Sequence, residues 1–203
     1  MTARGPRRHF SMLRDFHLAD LFTIANGFCG VGAIFAAMRF LATGDRRLLY
    51  GAALLVPLAL VFDVLDGRVA RWRHVASPMG RELDSLADVI SFGVAPAGIA
   101  YAAGLDRAAD QLILMYFVGC GVSRLARYNV TAADLSRETG KVTYFEGTPI
   151  PTSVVPLGLL MLAFHYRSLY PVAMLGVELH LVTLLFLLSG SLMISKTLRI
   201  PKP

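Results

Sequence analysis

The hydrophobic residues of this chain are grouped in long apolar runs that are separated by short polar segments. Six runs approach or exceed the length of about 20 mostly apolar residues that a helix needs to span a bilayer. They are Leu18–Phe40, Leu48–Trp72, Leu83–Gly104, Ala108–Asn129, Thr148–Tyr166 and Pro171–Ile194. Because the connections are short, the pattern predicts one all-α integral membrane domain with six transmembrane helices over residues 18–203.

The segment before the first run, residues 1–17, is basic and has a different pattern. It combines four arginines with apolar residues, of which Met12, Leu13 and Phe16 share one helical face. This arrangement predicts a short amphipathic helix at the membrane interface. A flexible basic tail is the alternative.

Composition agrees with a membrane protein, since 55% of the 203 residues are hydrophobic, 17% are charged and the mean hydropathy is +0.57. Soluble domains carry about a quarter charged residues. The net charge of +6 could indicate a nucleic-acid partner, but its distribution argues against one. If six helices cross the membrane in alternation, one side of the membrane receives only five of the 20 Lys and Arg residues, namely Arg39, Arg46, Arg47, Arg107 and Arg167. This positive-inside asymmetry predicts a multi-pass protein of the cell membrane with both termini in the cytoplasm.

Carboxylates occur in the second and third runs, where ionisable side chains are costly and therefore indicate function. Asp63 and Asp66 lie near the end of the second run, and Asp84 and Asp88 lie near the start of the third. Spacings of three and four residues place each pair on one helical face. Pro78 favours a break between the two helices. Antiparallel packing would then direct all four carboxylates into one pocket near the cytoplasmic ends.

Four carboxylates in one pocket repel one another unless cations lie between them. An all-oxygen set with no Cys or His nearby favours Mg²⁺ or Mn²⁺ and does not suit zinc. The small residues Gly67, Ala70 and Gly80 leave room for a nucleotide diphosphate, and Arg71 could neutralise a phosphate oxygen. The alternative is that the aspartates cap helices and pair with nearby arginines, which would account for one or two of them.

Eight positions over 26 residues form the pattern Asp63-x2-Asp66-Gly67-x2-Ala70-Arg71-x8-Gly80-x3-Asp84-x3-Asp88. This pattern resembles the signature of the CDP-alcohol phosphotransferases. The resemblance implies a six-helix fold, usually homodimeric, that binds two divalent cations and displaces CMP from a CDP-linked lipid. It implies metal binding by all four aspartates, CDP contacts by the other four signature residues, and a second role for Asp88 as general base. A carboxylate suits that role, because a neutral hydroxyl is a poor nucleophile.

Residues 21–30, 80–97, 124–129 and 144–151 are also similar to the phosphatidylserine synthase branch of that family. The similarity implies CDP-diacylglycerol and L-serine as substrates, phosphatidylserine as product, and membrane lipids as surroundings. The same reaction with glycerol phosphate, inositol phosphate, choline or ethanolamine is the main alternative. A divalent metal transporter is a weaker alternative, because the outer halves of the second and third runs are nearly free of polar side chains.

The candidate acceptor site uses polar residues in and after the fourth run. Arg124 and Arg127 could bind the carboxylate of serine, and Asn129 and Glu146 could bind its ammonium group. The alternative for both arginines is anchoring at anionic headgroups.

Two polar residues lie three apart near the start of the first run, Thr23 and Asn26. They could reach the nucleotide, or they could form hydrogen bonds between helices. The sequence leaves both interpretations open.

Overall fold

The computed structural model of the chain describes residues 18–72, 78–138, 144–174, 176–195 and 199–201. Helices account for most of these residues. They are α1 Leu18–Thr43, α2 Arg46–Trp72, α3 Pro78–Asp88, α4 Ala95–Ala103, α5 Ala108–Glu138, α6 Val154–His165 and α7 Thr183–Ile194. A π-helical turn, Val89–Val94, joins α3 to α4, and a 3-10 turn, Ile150–Ser153, precedes α6. The predicted interfacial helix of residues 1–17 lies outside the described residues.

Three helices in the described part of the chain are long and apolar enough to cross a membrane: Ala19–Thr43, Arg46–Val69 and Met79–Ala103. The last of these combines α3, the π-helical turn and α4. Ile150–His165 and Thr183–Ile194 are shorter apolar helices. Large apolar side chains cover the outside of the bundle and are 64–73% exposed at Phe28, Leu54 and Leu112. The chain is thus a mostly helical membrane protein, and the count of six spans stays a prediction.

The last predicted helix, Pro171–Ile194, is wrong over its first half. Strands β2 Pro171–Met174 and β3 Val177–His180 form an antiparallel hairpin there, and the helix begins only at Thr183. Gly176, between the strands, has a φ of 80°, a left-handed conformation that glycine adopts without strain. A second short pair joins β1 Tyr144–Glu146 to β4 Arg199–Pro201. The chain is therefore mostly helical and not purely α-helical.

The hairpin is attached to the bundle through a buried carboxylate at the start of α5. Asp110 is fully buried and accepts hydrogen bonds from the backbone N–H of His180 at 2.9 Å and from Thr183 Oγ1 at 2.6 Å. His180 Nδ1 lies 2.6 Å from the same carboxylate. Because a buried charge is stable only when it is paired and hydrogen-bonded, this cluster fixes β3 and α7 against α5.

A close approach of backbones positions α1 against the rest of the bundle. A Cβ atom at Gly30 would come within 2.6 Å of Ser91 Oγ and 2.8 Å of Ser91 Cα in the π-helical turn. Ser91 Oγ donates a hydrogen bond to the carbonyl of Asn26 at 2.8 Å. Only glycine allows this contact at position 30. It brings the face of α1 that carries Asn26 against the π-helical turn.

Candidate metal and nucleotide site

Three aspartates from two helices converge at one place in the bundle. Helix α2 provides Asp63 and Asp66, and α3 provides Asp84. One carboxylate oxygen from each lies within 4.8 Å of the other two. The sequence spacing predicts that four carboxylates converge, because residues three or four apart share a helical face and α2 and α3 are consecutive, and three of the four meet here.

The donor set and its surroundings fit a hard divalent cation. Asp66 is 6% exposed, and Asp84 Oδ1 is buried without a hydrogen-bond partner among the described residues. Such an orphaned oxygen is costly unless a cation or a donor satisfies it. The ion pairs within the described residues do not include Asp63, Asp66 or Asp84, so pairing with the described arginines does not account for the cluster. Mg²⁺ and Mn²⁺ prefer oxygen ligands of this kind.

Asp88 lies one turn after Asp84 and is not part of the group of three. It is 6% exposed, and its Oδ1 accepts a hydrogen bond from Asn26 Nδ2 at 3.1 Å. Asn26 is fully buried. One carboxylate oxygen of Asp88 is therefore held by α1, which favours a fixed orientation of the other oxygen.

The hydrogen bonds of α1 address the two interpretations of Thr23 and Asn26. Thr23 Oγ1 donates to Asp66 Oδ2 at 2.8 Å, as Asn26 does to Asp88. Both side chains therefore form the interhelical hydrogen bonds and orient carboxylates of α2 and α3. Asp20, which sequence reasoning missed, is 7% exposed and its charge acts on Asp66. Its spacing of three residues from Thr23 and six from Asn26 was the feature of the sequence that could have placed it on the same helical face.

The predicted CDP contacts lie on the helical surfaces next to the aspartates. Gly67 directly follows Asp66, and a Cβ atom there would meet Arg71 Nη1 at 3.9 Å. Ala70 and Arg71 lie in the last turn of α2, and Gly80 lies one turn before Asp84 on α3. Arg71 is exposed. The two glycines therefore leave little side-chain bulk beside the carboxylates, and the exposed Arg71 borders this surface.

The predicted acceptor residues are only partly brought together. Arg124 on α5 is 9% exposed, its Nε is buried without a hydrogen-bond partner among the described residues, and its charge acts on Asp88. Arg127, one turn later, is partly buried. Glu146 belongs to β1, and its side chain lies outside the described part of the structure. The structure therefore brings Arg124 to the aspartates and leaves Glu146 undetermined.

Asn129 is held by α3. Its Nδ2 donates to Ser85 Oγ at 3.0 Å and to Glu82 Oε2 at 3.3 Å. Ser85 was missed by the sequence reasoning, and its place directly after Asp84 was the only indication. Because this contact ties α5 to the helix that carries Asp84 and Asp88, the region around Asn129 borders the carboxylate site.

Comparison with known proteins gives consistent matches. A family model described as CDP-alcohol phosphatidyltransferase matches residues 16–189. The CDP-diacylglycerol–serine O-phosphatidyltransferase of Saccharomyces cerevisiae is 46% identical over 206 residues, which cover 96% of this chain and 74% of that protein. The Bacillus subtilis protein of the same name is 33% identical over 155 residues, 75% of this chain and 78% of that protein. The archaetidylserine synthase of Methanothermobacter thermautotrophicus is 42% identical over 124 residues, 60% of this chain and 50% of that protein.

Proposed function

Because the chain belongs to the CDP-alcohol phosphatidyltransferase family, we propose that it transfers a phosphatidyl group from CDP-diacylglycerol to L-serine. The products are phosphatidylserine and CMP. The observation that carries the proposal is the similarity, over 96% of the chain, to a protein that is named for this reaction. The convergence of Asp63, Asp66 and Asp84 within 4.8 Å supports it, because a diphosphate substrate needs charge neutralisation.

The carboxylates of α2 and α3 are the proposed binding site for the diphosphate end of the lipid substrate. Asp63, Asp66 and Asp84 would hold Mg²⁺ or Mn²⁺, which would supply charge stabilisation to the diphosphate and to the CMP leaving group. Thr23 keeps Asp66 directed toward the site through its 2.8 Å hydrogen bond. Gly67, Ala70 and Gly80 leave the surface open to the CDP moiety, and Arg71 contacts a phosphate oxygen.

Asp88 is the proposed general base. Its carboxylate takes the proton of the serine hydroxyl while that oxygen attacks the phosphorus of the phosphatidyl group and the bond from this phosphorus to the oxygen of CMP breaks. Asn26 holds Oδ1 of Asp88 at 3.1 Å, which leaves the other oxygen for the proton. Arg124, whose charge interacts with that of Asp88, lies on the α5 side of this base.

The side of the site next to α5 is the proposed acceptor pocket. Arg124 and Arg127 suit the carboxylate of serine, since a guanidinium group binds a carboxylate with two parallel hydrogen bonds. Asn129, with Glu82 beside it at 3.3 Å, suits the ammonium group. Glu146 is retained as a candidate for the same role. This mixed charge favours serine over acceptors that carry only a phosphate or only a cation.

The proposed setting is a cell membrane with the site and both termini on the cytoplasmic side. The distribution of basic residues supports this setting, because the predicted topology places only five of the 20 Lys and Arg residues on the exterior side. A homodimer is proposed from the family resemblance alone.

An acceptor screen tests the proposed function. Purified full-length protein receives CDP-diacylglycerol, Mn²⁺ and one acceptor at a time: L-serine, glycerol phosphate, inositol phosphate, choline or ethanolamine. CMP release is followed, and the lipid product is identified by mass spectrometry. We expect L-serine to be the only one of these acceptors that reacts, and its product to be phosphatidylserine. Turnover should be lost in EDTA and should recover with Mg²⁺ or Mn²⁺ but not with Zn²⁺.

Two outcomes of this screen would contradict different parts of the proposal. Reaction with glycerol phosphate or inositol phosphate but not with serine would show that the assignment to the phosphatidylserine synthase branch is wrong. The transfer of a phosphatidyl group with release of CMP would still stand. Full turnover in EDTA-treated protein would contradict the metal site. Asp84→Asn, which removes a carboxylate with little change in shape, serves as the inactive control for CMP released by contaminants.

A further inference from the structure

A cavity with two arginines in its wall lies at the end of the bundle opposite to the aspartates. Its volume is about 380 Å³, and it is formed where the loop between α1 and α2 meets the end of α6. Its wall includes Arg46, the first residue of α2. Asp63 lies 17 residues further along the same helix, which corresponds to about 26 Å at the rise of an α-helix. The cavity is therefore separate from the metal site.

Arg46 holds a positive charge rigidly at the wall of this cavity. Its Nη2 donates to the carbonyl of Phe164 at 2.8 Å and to Tyr50 Oη at 3.3 Å. The guanidinium carbon lies 4.6 Å from the centre of the Phe164 ring. Nε is buried and has no hydrogen-bond partner in the described part of the chain. These contacts fix the guanidinium group, but they do not neutralise it.

Arg167 contributes a second positive charge to the same cavity. Its backbone has a φ of 52°, a left-handed conformation that is uncommon for a residue with a side chain. The turn that ends α6 holds this conformation, because the N–H of Arg167 donates to Phe164 O at 3.2 Å and the N–H of Ser168 donates to Ala163 O at 2.9 Å. Strained residues of this kind concentrate at functional sites.

Among the described residues, neither Arg46 nor Arg167 has a carboxylate within ion-pair distance. Arg107 shows the contrast, since it pairs with Glu178 at 3.4 Å. Two guanidinium groups that share one cavity without an acid repel each other, and an anion bound between them would remove that repulsion.

The acid nearest in sequence to Arg46 has another role. Asp45 accepts a hydrogen bond from the backbone N–H of Arg47 at 3.0 Å and thereby caps the start of α2. It does not line the cavity.

We propose that this cavity binds a phosphate-class anion between Arg46 and Arg167. A guanidinium group forms charge-assisted hydrogen bonds with phosphate oxygens, which Arg46 would make through Nη1, and two such groups suit a phosphate better than a single carboxylate. The ligand is either the phosphate of a phospholipid headgroup or a free phosphate group. Tyr166 and Tyr170 beside the cavity are 72% and 70% exposed, and exposed tyrosines are typical of the headgroup level of a membrane.

The test uses the full-length protein with an environment-sensitive dye at Tyr170→Cys, one residue beyond the cavity wall. Both native cysteines, Cys29 and Cys120, are buried, so the dye is directed to position 170. The protein in neutral detergent and EDTA is titrated with inorganic phosphate in one arm and with short-chain phosphatidylglycerol in the other. We expect a saturable fluorescence change with at least one of the two probes. A response to inorganic phosphate would show that free phosphate is sufficient for binding. A response to the lipid but not to phosphate would identify the phospholipid headgroup as the ligand.

Three variants test the assignment to Arg167. Arg167→Gln should weaken binding by about tenfold, the change that corresponds to loss of one charge-assisted contact. Arg167→Gly should weaken it equally while relieving the left-handed backbone, which separates a loss of binding from a loss of folding. Arg47→Gln, at an exposed arginine outside the cavity, should change binding by less than about twofold. No saturable response to either probe, or equal effects of Arg47→Gln and Arg167→Gln, would overturn the proposal.

Discussion

Removal of the Thr23 hydroxyl should weaken metal binding, and so raise the metal concentration that turnover requires, without unfolding the protein. Thr23 is 4% exposed, and its Oγ1 lies 2.8 Å from Asp66 Oδ2 and 3.3 Å from the carbonyl of Ala19. A hydroxyl has one proton to donate, and the shorter contact identifies Asp66 as its acceptor. Thr23→Val keeps the branched shape of the side chain and removes the donor.

The expected magnitude follows from the charge of the acceptor. A hydrogen bond to a charged group contributes about 1.5–3 kcal/mol, and loss of a partner that orients a metal ligand typically costs about 10–100-fold in affinity or activity. Without Thr23, Asp66 can turn away from the two oxygens that now lie within 4.8 Å of it. We therefore expect the Mn²⁺ concentration for half-maximal turnover to rise by about tenfold or more.

The assay is CMP release as a function of Mn²⁺ concentration at saturating CDP-diacylglycerol and L-serine. Thr23→Ser retains the donor and is the matched control, for which we expect a change of less than about threefold. The thermal unfolding midpoint of both variants in detergent checks the fold. A raised KM for CDP-diacylglycerol with unchanged Mn²⁺ dependence would refute this reasoning, because it would indicate that Thr23 contacts the nucleotide.

Three further predictions concern the base, the fold and the topology. Asp88→Asn cannot accept a proton, so turnover should fall by about 10²–10⁴ while CDP-lipid binding persists; a near-normal rate would mean that the proton goes to another group. Asp110→Ala leaves the buried donors without an acceptor and should destabilise the protein by about 3–5 kcal/mol, seen as a lower unfolding midpoint, whereas Asp106→Ala at an exposed position should not. Reporters inserted at Gly44 and fused after Pro203 should indicate the exterior and the cytoplasm, and a fusion at Pro203 that faces the exterior would require an odd number of spans.

The long helices could be predicted from the sequence because the cost of a polar group in a membrane acts on every residue of a span. The first predicted run, Leu18–Phe40, differs from α1 by three residues at its end. The second, Leu48–Trp72, differs from α2 by two residues at its start. The family resemblance drawn from eight positions between Asp63 and Asp88 is confirmed by the match over residues 16–189.

The hairpin of β2 and β3 could not be predicted from hydrophobicity, because a short apolar strand and a short apolar helix have the same composition. Its position depends on Asp110, which lies 70 residues before His180 in the chain. The π-helical turn also gave no signal in the sequence, and its Ser91 packs closely against Gly30 of α1. Both features result from packing between distant segments.

Within the site, the spacing of the aspartates predicted which side chains meet, but it did not predict their hydrogen-bond partners. Thr23 and Asn26 could have faced either a nucleotide or another helix; the structure shows their hydrogen bonds to neighbouring helices, and contact with a nucleotide stays a prediction. Ser85 and Asp20 became candidates only after α5 and α1 were in place.

The chain order of the site residues has a consequence for how new specificities can arise. The aspartates of the candidate site and the α1 side chains that orient them come from α1, α2 and α3, which end at Asp88, whereas Arg124 and Asn129 come from α5. One crossover point in the loop between α4 and α5 would therefore separate the proposed cation-binding half from most of the proposed acceptor-binding half. Recombination between homologous genes at that loop could exchange acceptor pockets while the reaction chemistry is inherited intact. Ser85 and Glu82, which contact Asn129 from the first half, are the two positions at which such a chimera would need to be matched.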